Sequence, residues 1–146
     1  MLREAEIKIK RLGLDNVIRL KRIRSETVPL EDNSVDAVIC GFAYHHFSNP
    51  SRVTAEMFRV LKPSKKAVVV DGCRPRHFLK KLIADLSVKI SDRTWRIRFY
   101  TEGEFREFFE RSEFIEVHSW CFYQTHCLLY PFLMIEGTKT PLRNAT

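Results

Sequence analysis

The chain has 146 residues, which predicts one domain spanning 1–146. Hydrophobic residues make up 45% and charged residues 29%, so the composition is that of a globular rather than a disordered protein. No apolar run approaches the ~20 residues that span a bilayer, and the charged start MLREAEIKIK does not have the pattern of a secretory signal. The four cysteines form no CxxC pair, which favours reduced thiols and a cytoplasmic location.

The first 40 residues predict a helix followed by two strands. Apolar residues recur at helical spacing from Leu2 to Leu12, and Gly13 is expected to end that helix. Asn16–Ile23 alternates apolar and basic residues, which predicts a strand with one solvated face. After the turn residues 31–34, Val35–Cys40 is apolar on both faces, a pattern typical of a strand inside a parallel sheet.

A strand, a helix and a second strand are predicted next, which implies a parallel crossover. Pro50 opens the helix, Lys62-Pro63 ends it, and Ala67–Val70 forms the second strand. Further along, Phe78–Ile90 carries a helical apolar stripe, and Thr101 with Glu104 has the spacing of a capping box. Two late strands are predicted at Ile115–Tyr123 and Phe132–Glu136.

Residues 28–63 read VPLEDNSVDAVICGFAYHHFSNPSRVTAEMFRVLKP. This stretch resembles the middle of class I S-adenosylmethionine-dependent methyltransferases of the ubiquinone/menaquinone-biosynthesis type, whose pattern includes "LPF-x-D-x-S-FD", "HH" and "E-M-x-R-V-L-KP". The resemblance implies an α/β fold class, a truncated Rossmann-like methyltransferase fold with a mostly parallel sheet and a C-terminal antiparallel strand. It also implies the family's sheet order, 3-2-1-4-5-7-6, with Val35–Cys40 as strand four.

The same resemblance names the residues expected at the cofactor. In the family, a glycine-rich turn and a ribose-binding acid come before the position of Met1, so we expect the isolated chain to bind S-adenosylmethionine weakly or not at all. Ser25 and Glu26 stand where the family reads the adenine. The family's wall after strand four corresponds to Gly41, Phe42 and Ala43.

Two family glycines that allow positive φ are replaced by other residues in this chain. The turn "KPGG" reads Lys62-Pro63-Ser64-Lys65 here, and "AGF" reads Ser112-Glu113-Phe114. Only glycine adopts positive φ without a steric cost. We interpret both replacements as relaxed constraint on the chain.

His45 and His46 are the candidate catalytic residues, since the resemblance puts the pair at the mouth of the site. A histidine there suits a general base or a group that orients a substrate oxygen; the alternative is that the pair caps and packs the start of a helix. Asp71 is interpreted as a hydrogen-bonding residue at a strand end. His118, Cys121, His126 and Cys127 lack the ligand spacing of zinc sites, so no metal is predicted.

Three functions stay open at this point. The first is an S-adenosylmethionine-dependent methyltransferase acting on an unknown small molecule, either as a fragment or as a half that needs a partner. The second is a catalytically inactive methyltransferase-like module for interaction or self-assembly, because the edge of strand four favours a homodimer or a partner chain. The third is a nucleic-acid-associated protein, because the net charge is +7 and basic residues cluster at Arg19, Lys21, Arg22 and Arg24.

Overall fold

A computed structural model describes residues 2–23, 26–75, 79, 82–83, 86, 97–122 and 131–141. Three α-helices are defined within these residues: α1 (Leu2–Arg11), α2 (Pro50–Val60) and α3 (Glu102–Arg111). The strands are β1 (Val35–Gly41), β2 (Leu61–Gly72), β3 (Phe114–Phe122) and β4 (Phe132–Lys139). A short 3-10 helix covers Tyr44–His46.

The four strands form one sheet in the order β1-β2-β4-β3. β1 and β2 are parallel, and α2 connects them, as the strand–helix–strand spacing predicted. β4 is antiparallel to both β2 and β3, so three strands run in one direction and the C-terminal strand runs against them. The predicted fold class is therefore confirmed, and the order agrees with family strands four, five, seven and six.

Among the described strands β1 lies at the edge of the sheet, as expected for strand four, but its apolar composition, typical of a sheet interior, does not mean that both of its faces are buried. Within the described residues it pairs with β2 alone. Ile39 is 76% exposed, while Val38 and Cys40 pack against the core. An apolar strand composition predicts a sheet interior only when neighbouring elements cover it.

The prediction of a strand at Asn16–Ile23 was also wrong. The backbone amides of Val17 and Ile18 donate to the carbonyl of Leu14, which makes a turn, and residues 18–23 have no regular secondary structure. Alternation alone does not make a strand, because the backbone needs a ladder partner. The preceding helix is confirmed, and Gly13 ends it with φ +66°.

Helix caps follow the predicted local signals. The side chain of Asn49 accepts from the amide of Arg52 at the start of α2, with Pro50 in the first turn. Thr101 and Glu104 form the full capping box of α3, each accepting from the other's backbone amide. The predicted helix at Phe78–Ile90 falls mostly outside the described residues; those described within it, Leu79, Leu82, Ile83 and Leu86, are helical and exposed.

The core lies between the sheet, α2 and α3. Met57 and Val53 contribute from α2, and Phe105 and Phe109 from α3. Both phenylalanines are almost fully buried, at 1% and 0% exposure. The helices therefore hold the sheet in place through apolar contacts.

The side chain of Arg59 connects the beginning of the motif at residues 28–63 to its end. Its guanidinium donates to the carbonyls of Val28 and Leu30 and to the carboxylates of Asp32 and Glu56, at 2.6 to 2.9 Å. Glu56 in turn accepts from the amide of Val28. The planar guanidinium thus ties the segment before β1 to α2, and this part of the motif serves the fold.

The residues that replace the two family glycines adopt the positive φ that glycine favours. Ser64 has φ +61° and Glu113 has φ +65°. Glu113 lies two residues beyond the end of α3, where a left-handed residue closes the helix. The backbone of the family turn is thus kept although the residue type is not, so each position carries a local steric cost.

Candidate functional site

The segment after β1 lies at the carboxyl ends of the parallel pair β1 and β2, where open α/β sheets bind ligands. Gly41 ends β1, and the amide of Phe42 donates to the carbonyl of Val70 on β2. Phe42 has φ +50°, a rare conformation for an aromatic residue, and its side chain is 59% exposed. The chain therefore turns sharply at this point and leaves an aromatic ring at the edge of the sheet.

Tyr44 anchors the 3-10 helix that follows. Its side chain is fully buried, and its hydroxyl is 2.6 Å from Thr54 Oγ1 and 3.1 Å from the carbonyl of Pro50. Its ring packs on that of Phe105, with the centroids 5.1 Å apart. Burial raises the pKa of Tyr44, so the hydroxyl stays protonated. This anchoring fixes the backbone from which the two histidines project.

His45 is held by Asp71, which lies near the end of β2. The distance from His45 Nδ1 to Asp71 Oδ1 is 2.7 Å, and the amide of His45 donates to Asp71 Oδ2 at 3.0 Å. The amide of Gly72 donates to the same carboxylate at 2.6 Å. Asp71 is only 1% exposed and the side chain of His45 15% exposed. A buried carboxylate with three partners therefore determines the orientation of the imidazole.

The remaining ring nitrogen of His45 is accessible. Nε2 has no hydrogen-bond partner among the described residues, and no buried side-chain nitrogen or oxygen in that part of the chain lacks one. The Nε2 atom therefore reaches solvent. One side of the His45 ring faces Phe99, with the ring centroids 5.1 Å apart. The ring centroid of His46 lies 4.0 Å from that of His45. His46 itself is exposed.

Other reactive groups in the described residues have different surroundings. Burial and the charge of Asp71 raise the pKa of the Cys40 thiol to about 11, and burial raises that of Cys73 to about 12. Both thiols are thus protonated and poor nucleophiles at neutral pH. No cluster of three or more metal-binding side chains occurs in these ranges.

The first basic cluster and a surface cavity near it lie apart from the histidines in sequence. A cavity of about 450 Å³ is formed by α1 and residues 15–22, lined by Leu2, Glu6, Ile9, Lys10, Asp15, Ile18, Leu20 and Arg22. Lys21 Nζ donates to the carbonyl of Pro29. Arg24 lies outside the described residues. The use of this charge for nucleic acid stays a prediction.

Sequence comparison shows that the first part of the chain is similar to methyltransferases. Residues 1–69 match the family model of a methyltransferase domain. The ubiquinone/menaquinone biosynthesis C-methyltransferase UbiE of Shewanella pealeana is 28% identical over 86 residues, which are 59% of this chain and 34% of that protein. The uncharacterized methyltransferase YcgJ of Bacillus subtilis is 36% identical over 63 residues, 43% of this chain and 24% of that protein.

Structure comparison extends the likeness along the chain. The crystal structure of YcgJ from Bacillus subtilis superimposes with a TM-score of 0.76 at 18% identity, covering 93% of this chain and 76% of that one. A methyltransferase from Thermotoga maritima, described as a possible histamine N-methyltransferase, gives a TM-score of 0.69 at 19% identity over 91% and 70% of the two chains. The chain is therefore similar to methyltransferases in sequence over residues 1–69 and in fold over most of its length.

The resemblance drawn from residues 28–63 is thereby confirmed. The methyltransferase-like chain spans about a third of the length of the UbiE relative that it matches. Its likeness to solved structures reaches beyond the sequence match into β3 and β4. None of the helices in the described ranges is long and apolar enough to cross a membrane.

Most of the predicted site residues are close together in sequence at the carboxyl end of β1. Gly41 ends the strand, and it is followed by Phe42, Ala43, His45 and His46. Glu26 lies at the start of α2, where its Oε1 accepts from the amide of Asn49 at 2.6 Å. Ser25 is outside the described residues.

Sequence reasoning recognised Asp71 as a hydrogen-bonding residue but missed its partner. Asp71 and His45 are 26 positions apart, and the parallel register of β1 and β2 brings their side chains together. The signal that could have found the pair is the position of both residues at the ends of neighbouring parallel strands.

The space beside the backbone of Gly41 is open. A side-chain carbon built on Gly41 would meet nothing within 4 Å, so the backbone is open at the end of β1. Phe42 offers an exposed aromatic face beside it. Glu26 has one carboxylate oxygen on Asn49, and a carboxylate carries a second oxygen that can accept from an amino or hydroxyl group.

Proposed function

We propose that this chain is part of an S-adenosylmethionine-dependent methyltransferase acting on a small-molecule acceptor in the cytoplasm. The observation that carries the proposal is the combination of an open Gly41 backbone and an oriented His45 at the carboxyl ends of β1 and β2. The match of residues 1–69 to the methyltransferase domain supports the same conclusion.

Gly41, Phe42 and Ala43 would hold one side of the cofactor, and Glu26 would accept from its polar groups. When bound, S-adenosylmethionine supplies a methyl group that is already activated. The protein's own task is then to orient the acceptor and manage its proton. The exposed ring of Phe42 and the accessible nitrogen of His45 are the groups that would do so.

Chemical-shift mapping tests this proposal even when binding is weak. S-adenosylhomocysteine is added to about 1 mM, a concentration that detects a complex of about −4 kcal/mol. We expect the amides of residues 41–43 to shift, and Gly41→Leu to abolish the shifts by filling the open space. Gly103→Ala, on an exposed helix position with nothing within 4 Å of the added carbon, is the matched control. Unshifted amides at 41–43 would refute the proposed site.

We further propose that the outer edge of β1 pairs with a second copy of this chain. The support is that β1 pairs on one side only among the described strands and exposes Ile39. Unpaired apolar edges are prone to pairing with other chains. Sedimentation velocity at micromolar concentration should reveal a dimer that Ile39→Lys dissociates, with Leu2→Lys as an exposed control. A monomer at every concentration would contradict this proposal.

The same edge supports the second candidate function, a catalytically inactive module for interaction or self-assembly. The two candidates predict opposite results in the titration with S-adenosylhomocysteine. Dimerisation without any S-adenosylhomocysteine shifts would favour the module. Shifts at residues 41–43, whatever the oligomeric state, would favour the methyltransferase.

A further inference from the structure

We propose that His45, not His46, is the general base of this site and that Asp71 is its positioning residue, holding the imidazole with a proton on Nδ1 and leaving Nε2 as the acceptor. This inference rests on the proposed methyltransferase function.

The hydrogen bonds of Asp71 determine the tautomer. An ionised carboxylate accepts hydrogen bonds but cannot donate them. At 2.7 Å from Asp71 Oδ1, the neutral ring of His45 must therefore carry its proton on Nδ1. The amides of His45 and Gly72 also donate to this carboxylate, so both of its oxygens act as acceptors. A neutral imidazole with Nδ1 protonated has its free lone pair on Nε2.

The surroundings of the ring keep this arrangement rigid. Tyr44, fully buried and bonded to Thr54, precedes His45 and fixes its backbone. The carbonyl of His45 accepts from the amide of Arg98, and Phe99 covers one side of its ring. His46 is exposed, and its ring centroid lies 4.0 Å from that of His45. Only His45 therefore has the buried partner that a preorganised base requires.

The chemical role that follows is a single proton transfer. When S-adenosylmethionine gives its methyl group to the acceptor and leaves as S-adenosylhomocysteine, the acceptor would lose one proton to His45 Nε2, and the ring would become an imidazolium. The carboxylate of Asp71 stabilises that cation through the Nδ1–H bond without taking the proton itself. The imidazolium then returns the proton to solvent through the accessible Nε2.

The tautomer can be measured directly in the wild-type chain. Long-range ¹H–¹⁵N correlation spectra distinguish a protonated from an unprotonated ring nitrogen in neutral histidine. We expect His45 to show Nδ1 protonated and Nε2 unprotonated. A spectrum with Nε2 protonated would overturn the proposal, and this measurement needs no variant that could fail to fold.

Asp71→Asn supplies a second measurement, because an amide can donate to Nδ1 and so move the ring proton to Nε2. Carbethoxylation by diethyl pyrocarbonate, followed by mass spectrometry, reports on the unprotonated nitrogen. We expect the reaction at His45 to slow by roughly tenfold or more, in the direction known for such a carboxylate-to-amide change, while the reaction at His46 stays unchanged. Equal rates at His45 in the wild type and a folded variant would assign Asp71 a purely structural role.

His46→Gln is the matched control and should leave the tautomer and reactivity of His45 unchanged. These readouts are independent of cofactor binding. If the tautomer is as expected but S-adenosylhomocysteine causes no shifts at residues 41–43, the proposed function fails while the dyad stands. If the shifts occur but the tautomer is reversed, only the roles of Asp71 and His45 are refuted.

Discussion

Replacing Glu113 with glycine should stabilise this chain. Glu113 has φ +65° at the end of α3, its amide donates to the carbonyl of Glu110, and its side chain is exposed. The left-handed conformation costs a residue with a side chain about 1–2 kcal/mol. Glycine removes that cost. However, its greater conformational freedom stabilises the unfolded state by about 0.4–1 kcal/mol. The net stabilisation should be about 0.5–1 kcal/mol, or a melting midpoint higher by roughly 1–4 °C at this chain length.

Thermal and urea unfolding followed by circular dichroism measure this effect. Glu113→Ala is the matched control, because it removes the same carboxylate and keeps the steric cost at Cβ. Gly103→Ala is the positive control. It should stabilise the chain because Gly103 lies in α3 and has open space around it, so the assay must detect its effect. Glu113→Gly should exceed Glu113→Ala by about 1 kcal/mol. Equal stabilities of the two variants would refute the reasoning from backbone conformation.

Three further predictions concern packing and charge. Gly137→Ala should destabilise by about 1–3 kcal/mol in urea unfolding, because the added carbon would lie 2.8 Å from Phe109 Cδ1; no loss would contradict the packing. Arg59→Lys should lower the melting midpoint more than Arg111→Ala, since lysine cannot reproduce the guanidinium's several bonds; equal midpoints would count against that role. The hydrogen bond from Arg59 lowers the pKa of Glu56 from its usual 4.5, so the unfolded state binds more protons in the window below 4.5. The stability Glu56 contributes is present above that window and is lost as pH falls through the folded pKa. Glu56→Gln should flatten this acid decline in urea titrations, and an unchanged slope would contradict it.

The sequence was most informative where the stabilising contacts are local. The capping box of Thr101 and Glu104 and the proline at the start of α2 were predicted correctly because each involves groups within three or four positions. The order of strands and helices followed from apolar patterns and the family resemblance, and the sheet agrees with it.

The strand predicted at Asn16–Ile23 shows the limit of such patterns. Its alternation of apolar and basic residues is that of a half-buried strand, yet residues 18–23 are coil. Strand formation requires hydrogen bonds to another strand, and a local pattern contains no information about that neighbour. The exposure of Ile39 on β1 has the same origin, because the composition of a strand does not determine what covers it.

The sequence by itself determined the α/β class, the starts of α2 and α3 and the segment that carries His45 and His46. The tertiary structure alone decided which histidine has a buried partner, because Asp71 reaches His45 only through the parallel register that aligns Cys40 with Val69 and Gly41 with Val70. It also decided that Ser64 and Glu113 keep a glycine-like backbone. The reason is the same in each case: side-chain chemistry can be read from one residue, whereas contacts across strands and backbone angles depend on the whole packed sheet.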